Sequence, residues 1–248
     1  MRARGLLLAL LAPLLGGCTL HAAQVRTPTA EPIPTAWPWQ SFMYAARTGA
    51  GVVVIDLGWY GAEGALERGL ARIGARPEEV THVFLTHSHR DHIAAWRSVR
   101  QAEFHLHEAE LDLFLGRTAH ADLPSRAASA LLPAAEPRPG ELALRPFGAD
   151  TAWVLGADTV RAFRVAGHTP GSSAYLFRGI LFVGDAIRRT PLIGFGPALP
   201  IFTDDVARSE TSLVELFARA LPHGVEWVCT AHAKCARPDE RFLRKVLR

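Results

Sequence analysis

The sequence predicts an α+β domain in which two β-sheets pack together and helices cover their outer faces. The chain has 248 residues, of which 49% are hydrophobic and 21% are charged, which is enough to build one domain with a sizeable core. Short apolar runs bounded by turn residues alternate with longer stretches whose apolar residues recur at helical spacing. After residue 20 no apolar stretch reaches the roughly 18 residues that a membrane-spanning helix needs.

Strands and helices alternate along this predicted domain. One β-hairpin is predicted where two apolar runs flank a glycine-containing turn, and another where two runs flank Arg178 and Gly179. Helices are predicted where apolar residues recur every three or four positions. The predicted strands are 42–46, 52–57, 80–86, 158–165, 174–177, 180–183 and 225–230, and the predicted helices are 62–73, a segment beginning near Ile93, 206–221 and a closing helix from Pro238.

The first twenty residues have the layout of a secretory signal peptide. Arg2 and Arg4 precede an apolar run that leads into Leu-Gly-Gly-Cys at residues 15–18. These four residues resemble the bacterial lipobox, in which the cysteine is acylated and becomes the new N-terminus. We expect removal of residues 1–17 and anchoring of the exported protein to the cell envelope through a lipid on Cys18, facing the periplasm. A plain secretory signal with an incidental cysteine is the alternative.

Residues 18–39 are predicted to be a tether between this anchor and a domain that covers residues 40–248. The density of prolines in the tether favours extended polyproline conformation over a packed element. These prolines are Pro28, Pro32, Pro34 and Pro38.

Charge gives little support for a nucleic-acid partner, although the formal net charge is +3. Removing Arg2 and Arg4 from the 27 basic residues leaves 25 against 24 acidic ones. The arginines are scattered and form no basic stripe, so no nucleic-acid binding is expected. Cys229 and Cys235 could pair in an oxidising compartment, or could point to different sides of a strand end.

The stretch between His107 and Asp150 is predicted to be an irregular excursion from the domain. Five prolines within it interrupt any long element. Long loops of this kind in compact enzymes often act as lids or substrate walls.

A dense group of metal-binding residue types follows the strand predicted at 80–86. Three histidines and an aspartate fall within six residues. Histidines two positions apart on an extended segment project the same way, so His87 and His89 can bind one metal ion together. Asp91 and His92 begin the next helix and can point at a second ion. Imidazole and carboxylate suit zinc, whereas calcium prefers oxygen ligands. A solvated histidine-rich loop is the alternative interpretation.

This His-x-His-x-Asp-His pattern resembles the signature of the metallo-β-lactamase superfamily, and four further motifs agree in their order. Asp56 in Val-Ile-Asp-Leu-Gly resembles a structural aspartate beside the metal loop, and His168 in Ala-Gly-His-Thr-Pro-Gly-Ser resembles a ligand. Asp185 in Phe-Val-Gly-Asp resembles a bridging carboxylate, and His232 in Thr-Ala-His-Ala resembles the last ligand. The resemblance runs from about Phe42 to the C-terminus and implies a four-layer αββα sandwich.

The resemblance implies a centre with two zinc ions. One zinc would take three histidines, the other would take two histidines and an aspartate, and one carboxylate would join both. The expected ligands are His87, His89 and His168 for the first zinc, Asp91, His92 and His232 for the second, and Asp185 for both. A hydroxide held between the ions would attack a small-molecule substrate, with Asp91 as the catalytic residue that takes or relays a proton.

The bridging Asp185 indicates which hydrolases are the best match. Thioesterases, lactonases and phosphodiesterases of the family have an aspartate there, and true β-lactamases generally lack one. The ligand set resembles that of glyoxalase II, but only sixteen residues follow His232 where glyoxalase II has a helical glutathione-binding region. We therefore expect hydrolysis of an ester, lactone or thioester.

Three alternatives remain open at this stage. A periplasmic β-lactamase-type amide hydrolase is one, since Gly-His-Thr-Pro-Gly-Ser also occurs in one β-lactamase subclass. An oxidoreductase similar to persulfide dioxygenase would use the same scaffold with a single iron. A lipoprotein that only binds a ligand is the third.

Other polar and aromatic residues are expected to have structural roles. His82, His105 and His107 are interpreted as structural histidines, and His120 and His223 as members of surface loops. Ser88 is expected to be a loop residue and not a nucleophile, because no glycine-rich elbow surrounds it. Trp96 stands where relatives often have glycine and is expected to narrow the mouth of the site. Trp153, Phe195 and Phe202 are assigned either to the pocket wall or to the core.

Overall fold

The computed structural model describes residues 29–35, 40–190 and 193–247. The predicted signal peptide, Cys18 and residues 18–28 and 36–39 of the predicted tether lie outside these residues. Within the described part of the chain, no helix combines the length and apolar character needed to cross a membrane.

The described residues form a first sheet of six strands, in which each strand lies beside the next one along the chain. The first three strands pair antiparallel and the last three continue the sheet in parallel. The strands are β1 Glu31–Pro34, β2 Phe42–Thr48, β3 Gly51–Ile55, β4 Val80–Phe84, β5 Glu103–His107 and β6 Ala143–Phe147.

A second sheet of five described strands has the order β13-β10-β9-β8-β7, with one parallel pair, β10 with β13. Its strands are β7 Thr151–Leu155, β8 Asp158–Arg164, β9 Ser173–Phe177, β10 Ile180–Phe182 and β13 Trp227–Cys229. Between β10 and β13 along the chain, β11 Ile187–Thr190 and β12 Gly194–Pro197 make a separate antiparallel pair.

Six α-helices lie in the described ranges, two of them single turns. They are α1 Glu63–Arg72, α2 Arg90–Ile93, α3 Leu111–Phe114, α4 Leu123–Leu131, α5 Val206–Ala220 and α6 Glu240–Val246. Short 3-10 turns occur at Pro77–Glu79, Ala94–Val99, Glu108–Glu110, Pro200–Phe202 and Leu221–His223. The helix predicted to begin near Ile93 is therefore the single turn α2 followed by 3-10 structure, because Ala95 departs from helical dihedral angles.

The layers lie in the order helix, sheet, sheet, helix, and three hydrophobic clusters fill the three spaces between neighbouring layers. Successive side chains of a strand point to opposite faces, so Val83 packs against α1 while Phe84 enters the space between the sheets. On the outer face of the second sheet, Leu213 of α5 and Phe242 of α6 pack on Val183. Burial of apolar faces on both sides of each sheet gives the αββα sandwich, so the predicted fold class is confirmed.

The tether prediction is wrong for residues 31–34. These residues form β1, the outermost strand of the first sheet, and Ile33 is buried against Gly69 of α1. Pro32 and Pro34 are compatible with a strand because β1 lies at the sheet edge, where a residue without an N–H group leaves no ladder bond unmade.

The stretch between His107 and Asp150 is not the irregular excursion that was predicted. It contains α3, α4 and β6. Pro124 lies in the first turn of α4, where its missing N–H would have no partner in the helix, and Pro146 lies in the edge strand β6. The prolines mark the ends and edges of these elements.

The two remaining cysteines form a disulfide bond. Cys229 ends β13 and is bonded to Cys235, with their Cα atoms 4.1 Å apart. The bond closes the loop that carries His232, so it limits the freedom of that part of the chain.

Candidate metal centre

The ends of four strands bring all seven predicted ligands to one edge of the two sheets. His87 and His89 follow β4, and Asp91 and His92 lie on α2 directly after them. The other three ligands follow strands of the second sheet: His168 comes after β8, Asp185 after β10 and His232 after β13.

The first cluster consists of three buried imidazoles whose ring nitrogens converge. His168 Nε2 lies 3.2 Å from His87 Nε2 and 3.1 Å from His89 Nδ1. All three residues are at most 5% exposed. Three nitrogens this close together form the donor arrangement that zinc takes from histidine.

The second cluster combines two imidazoles with two carboxylates. His232 Nε2 lies 3.1 Å from Asp91 Oδ2 and 3.2 Å from Asp185 Oδ2, and His92 Nε2 lies 3.6 Å from Asp185 Oδ1. Asp185 Oδ2 is also 3.8 Å from His168 Nε2 of the first cluster. Asp185 therefore lies between the clusters, as a bridging carboxylate would.

Asp56 holds the second cluster from behind. Its carboxylate accepts hydrogen bonds from the Thr86 N–H group and the Thr86 hydroxyl, both at 2.8 Å, and lies 2.9 Å from His92 Nδ1. This contact leaves His92 Nε2 facing the cluster. Asp56 adopts a positive φ of 56°, a conformation in which aspartate is among the better tolerated residues. A carboxylate behind a metal-binding histidine fixes its ring orientation and raises its basicity.

The buried Glu110 joins the two ligand loops of the first cluster, and no motif in the sequence indicates this role. Glu110 Oε2 accepts from the Ser88 N–H group at 2.9 Å and from the Ser88 hydroxyl at 2.5 Å. Its Oε1 accepts from the Thr169 hydroxyl at 2.6 Å and from the Gly171 N–H group at 2.7 Å. Ser88 is therefore a loop residue that serves this contact, in agreement with its predicted role.

A second missed carboxylate, Asp122, contacts the first cluster directly. Asp122 Oδ2 lies 3.2 Å from His89 Nε2, and its Oδ1 caps α4 by accepting from the Ser125 N–H group. Asp204 Oδ1 accepts from the Asp122 N–H group, while the Asp204 N–H group donates to the His168 carbonyl. The segment before α4 is thus attached to the loop that carries His168.

Two predictions about neighbouring residues are wrong. His120 does not belong to a surface loop: it is buried, and its ring centroid lies 4.4 Å from that of His89. Trp96 does not narrow the mouth of the site, because it is buried in the core between the first sheet and its helices, where its indole N–H donates to the Ala135 carbonyl. Trp153 packs against the core between the sheets, and Phe195 packs against Phe242 of α6.

The two clusters differ in charge. Burial lowers the pKa of His87 well below its usual value and the pKa of His168 to about 3, so these imidazoles are neutral at pH 7. Burial would likewise lower the pKa of His92, but the carboxylates of Asp91, Asp56 and Asp185 outweigh it and raise this pKa to about 9. The second cluster therefore has a negative potential that favours a cation.

The donor set fits a pair of divalent metal ions. His92 Nε2 and Asp185 Oδ1 are buried and have no hydrogen-bond partner among the described residues. Buried polar atoms are nearly always satisfied, and a metal ion bound by the second cluster would satisfy both. Neutral imidazoles and ionised carboxylates are the forms that bind zinc or iron.

Comparison with known proteins identifies the fold family. The model of the metallo-β-lactamase superfamily matches residues 36–232, and the chain belongs to this superfamily. Its members are largely metal-dependent hydrolases. In this chain, the first and the second cluster could each bind a metal ion. No curated protein sequence matches the chain.

Several solved structures share the fold. A metallo-β-lactamase from Pontibacter korlensis is 17% identical with a TM-score of 0.65, and the match covers 90% of this chain and 94% of that one. The B3 metallo-β-lactamase BLEG-1 is 22% identical with a TM-score of 0.63, covering 84% and 93%. The protein TTHA1623 in a di-iron-bound form is 24% identical with a TM-score of 0.63, covering 87% and 97%.

Proposed function

We propose that this protein is a dinuclear, zinc-dependent hydrolase that cleaves an ester, lactone or thioester of a small molecule. The observation that carries the proposal is the convergence of seven donor side chains into two clusters with Asp185 between them. The proposed ligands are His87, His89 and His168 for one ion, Asp91, His92 and His232 for the other, and Asp185 for both.

The protein side chains supply position and charge for the reaction. When bound, the two ions would supply a readily deprotonated water molecule and a Lewis acid for the carbonyl oxygen of the substrate. Asp56 and Asp122 orient His92 and His89 from behind. The backbone carbonyl oxygen of Gln40 orients His232 in the same way, because it lies 2.8 Å from His232 Nδ1. These contacts direct the opposite ring nitrogen of each histidine at the centre.

Asp91 is the residue to which we assign proton transfer. Its Oδ2 lies 3.1 Å from His232 Nε2, and 22% of its side chain is exposed. Burial alone would raise the pKa of Asp91, but His92 and His232 outweigh it and lower this pKa to about 2. Asp91 is therefore ionised at neutral pH and can accept a proton from the attacking water and return it to the leaving group.

The position of Asp185 supports ester, lactone or thioester substrates over β-lactams. This carboxylate contacts donors of both clusters, as the bridging residue of the thioesterase and lactonase branches would. The resemblance of the sequence motifs to the ligand set of glyoxalase II agrees with this choice.

Metal quantification and a substrate panel test the proposal. The protein without residues 1–18 should bind two zinc ions at the seven donors and hydrolyse at least one member of an ester, lactone and thioester series. Chelation should remove the activity, and added zinc should restore it. Full activity after exhaustive chelation would contradict the proposal.

A β-lactam hydrolase is the second candidate function, favoured by the similarity of the fold to BLEG-1 and to the enzyme from Pontibacter korlensis. The same panel should therefore include penicillins, cephalosporins and carbapenems. Turnover of a β-lactam with no turnover of esters, lactones or thioesters would select this function.

Iron is the alternative metal, favoured by the di-iron-bound form of TTHA1623. Metal analysis after purification without added zinc separates the possibilities. Two zinc ions at the seven donors support the hydrolase. A single iron, with oxygen consumption in the presence of a persulfide, would support an oxidoreductase similar to persulfide dioxygenase.

We also propose that the protein is exported and held at the cell envelope by a lipid on Cys18, with a catalytic domain that includes β1 as well as residues 40–248. The disulfide between Cys229 and Cys235 supports an oxidising compartment. In a bacterial host, the full-length chain should incorporate labelled palmitate and fractionate with membranes. Cys18→Ala should abolish both properties, and equal labelling of this variant would contradict the anchor.

A further inference from the structure

A third group of metal-binding side chains lies on β4 and β5, away from the seven donors above. His82 pairs with Glu103 across the two parallel strands, and Phe84 pairs with His105. Residues two apart on a strand share a face, so His82, Glu103 and His105 all point into the space between the two sheets. Five residues of largely extended chain, roughly 16 Å, separate His82 from His87. The group is therefore distinct from the catalytic centre.

The donor atoms of this group converge. His82 Nδ1 lies 3.0 Å from His105 Nε2 and 3.8 Å from Glu103 Oε2. One donor atom from each residue lies within 4.8 Å of the other two. Two imidazoles and one carboxylate are a ligand set that zinc accepts, with a water molecule as the fourth ligand.

The carboxylate is held in an orientation that suits a ligand. Arg145 binds one oxygen of Glu103 with two donors, Nε at 3.0 Å and Nη2 at 2.7 Å, both to Oε1. The other oxygen, Oε2, faces His82. Arg145 thereby fixes the carboxylate as outer hydrogen-bond partners fix metal ligands in general.

The imidazoles are in the form that binds metal. Burial lowers the pKa of His82, and burial together with His82 and Arg145 lowers the pKa of His105 to about 3, so both rings are neutral at pH 7. His105 is 1% exposed, and its ring is fixed by contacts with Phe84 and Trp153. Its Nε2 is the ring nitrogen that faces His82.

We propose that His82, His105 and Glu103 bind a single divalent transition-metal ion, separate from the dinuclear centre. This ion would link β4 to β5, and β4 leads directly into the loop that carries His87 and His89. Glu103 and His82 retain 37% and 17% side-chain exposure, which gives the ion a route from solvent. Its role is to stabilise the strand pair and not to bind substrate.

The test counts zinc ions per chain after chelation, reloading with excess zinc and gel filtration. We expect three in the natural protein and two in His82→Gln and in Glu103→Gln, both of which change partly exposed side chains. His223→Gln, which changes an exposed histidine elsewhere, should retain three. A variant that combines His168→Ala with His232→Ala should retain one, and zinc should raise its melting temperature unless His82→Gln is added.

The outcomes separate this site from the catalytic centre. If the natural protein, His82→Gln and Glu103→Gln bind the same number of zinc ions, the third site does not exist. If the natural protein binds a single zinc that His82→Gln and Glu103→Gln both lose, the third site is supported and the dinuclear centre fails. Circular dichroism of each variant shows that a lost ion does not reflect a lost fold.

Discussion

The two halves of the candidate metal centre, its first and second clusters, differ in exposure and in carboxylate content. The first cluster has only imidazole donors and is almost completely enclosed. The second cluster contains two carboxylates, and Asp91, Asp185 and His232 remain 19–25% exposed at their side chains. An enclosed set of imidazoles binds its ion through geometry, whereas an open set with two carboxylates also binds through electrostatic attraction and leaves room for a substrate. We infer that the first half fixes the centre and the second half performs the chemistry.

Loss of the shared carboxylate should have the largest effect, because it disturbs both halves at once. Asp185→Ala removes Oδ2, which lies near both His232 and His168, and Oδ1, which lies near His92. We expect a fall in kcat/KM on the order of a thousandfold, equivalent to about 4 kcal/mol of transition-state stabilisation, together with reduced metal content. Activity assays with metal quantification on the same sample measure this. Unchanged metal content and turnover would remove Asp185 from the site.

A single-cluster variant sharpens the distinction between the halves. His168→Ala removes one imidazole of the first cluster, so this variant should lose zinc from that half and lose hydrolysis. The second half should keep its zinc, because none of its four donors is changed. At the seven donors, one zinc in His168→Ala, against none or one weakly bound in Asp185→Ala, is the expected contrast. Full zinc content and turnover in His168→Ala would show that the ligand assignment is wrong.

Replacement of Asp56, the carboxylate that orients His92 of the second half, should have an intermediate effect on zinc affinity. Asp56→Asn keeps the shape of the side chain but weakens its contact with His92 Nδ1. Changes of this kind typically cost 10- to 100-fold in metal affinity. Zinc titration against a competing chelator should show the loss in one of the two binding steps, and excess zinc should restore most of the activity. A loss that zinc does not rescue would indicate a folding defect.

The sequence predicted the ligands far better than their supports. All seven expected donors lie in short motifs directly after strands, and the resemblance of these motifs to the metallo-β-lactamase superfamily was what grouped them into one site. Asp56 also belongs to such a motif. Glu110, Asp122 and Asp204 do not: each reaches the site through contacts between residues 22 to 83 positions apart in the chain. Such contacts depend on how layers pack, which periodicity does not report.

The same reason explains the errors in the fold. The prolines at residues 32, 34 and 146 predict the absence of a packed element. Each of them lies in an edge strand, where a missing N–H group leaves no hydrogen bond of the sheet unmade. Whether a strand is central or at an edge is decided by the order of strands in the sheet. The alternation of apolar residues indicates a strand without indicating its neighbours.

Asp122, which orients His89 of the first half, was not predicted from the sequence. Its replacement should lower zinc affinity less than replacement of Asp56. Asp122→Asn weakens the contact with His89 Nε2, but His87 and His168 still enclose the ion. We expect about a tenfold loss of affinity for one zinc. Asp122→Ala also removes the cap of α4, which typically costs about 1 kcal/mol of stability. Comparison of the two variants by zinc titration and thermal unfolding separates the metal effect from the capping effect.

Replacement of a buried histidine outside both halves should have the smallest effect on the centre. His107 is buried, packs against Phe147 and accepts a hydrogen bond from the Ala109 N–H group through Nδ1. His107→Ala should therefore lower the free energy of unfolding by roughly 1–2 kcal/mol through the lost cap and packing. Its zinc content and its turnover per folded molecule should equal those of the natural protein. Because His107 is as buried as the histidines of the first half, lost zinc in this variant would mean that burial and not ligand position determines the effect of these substitutions.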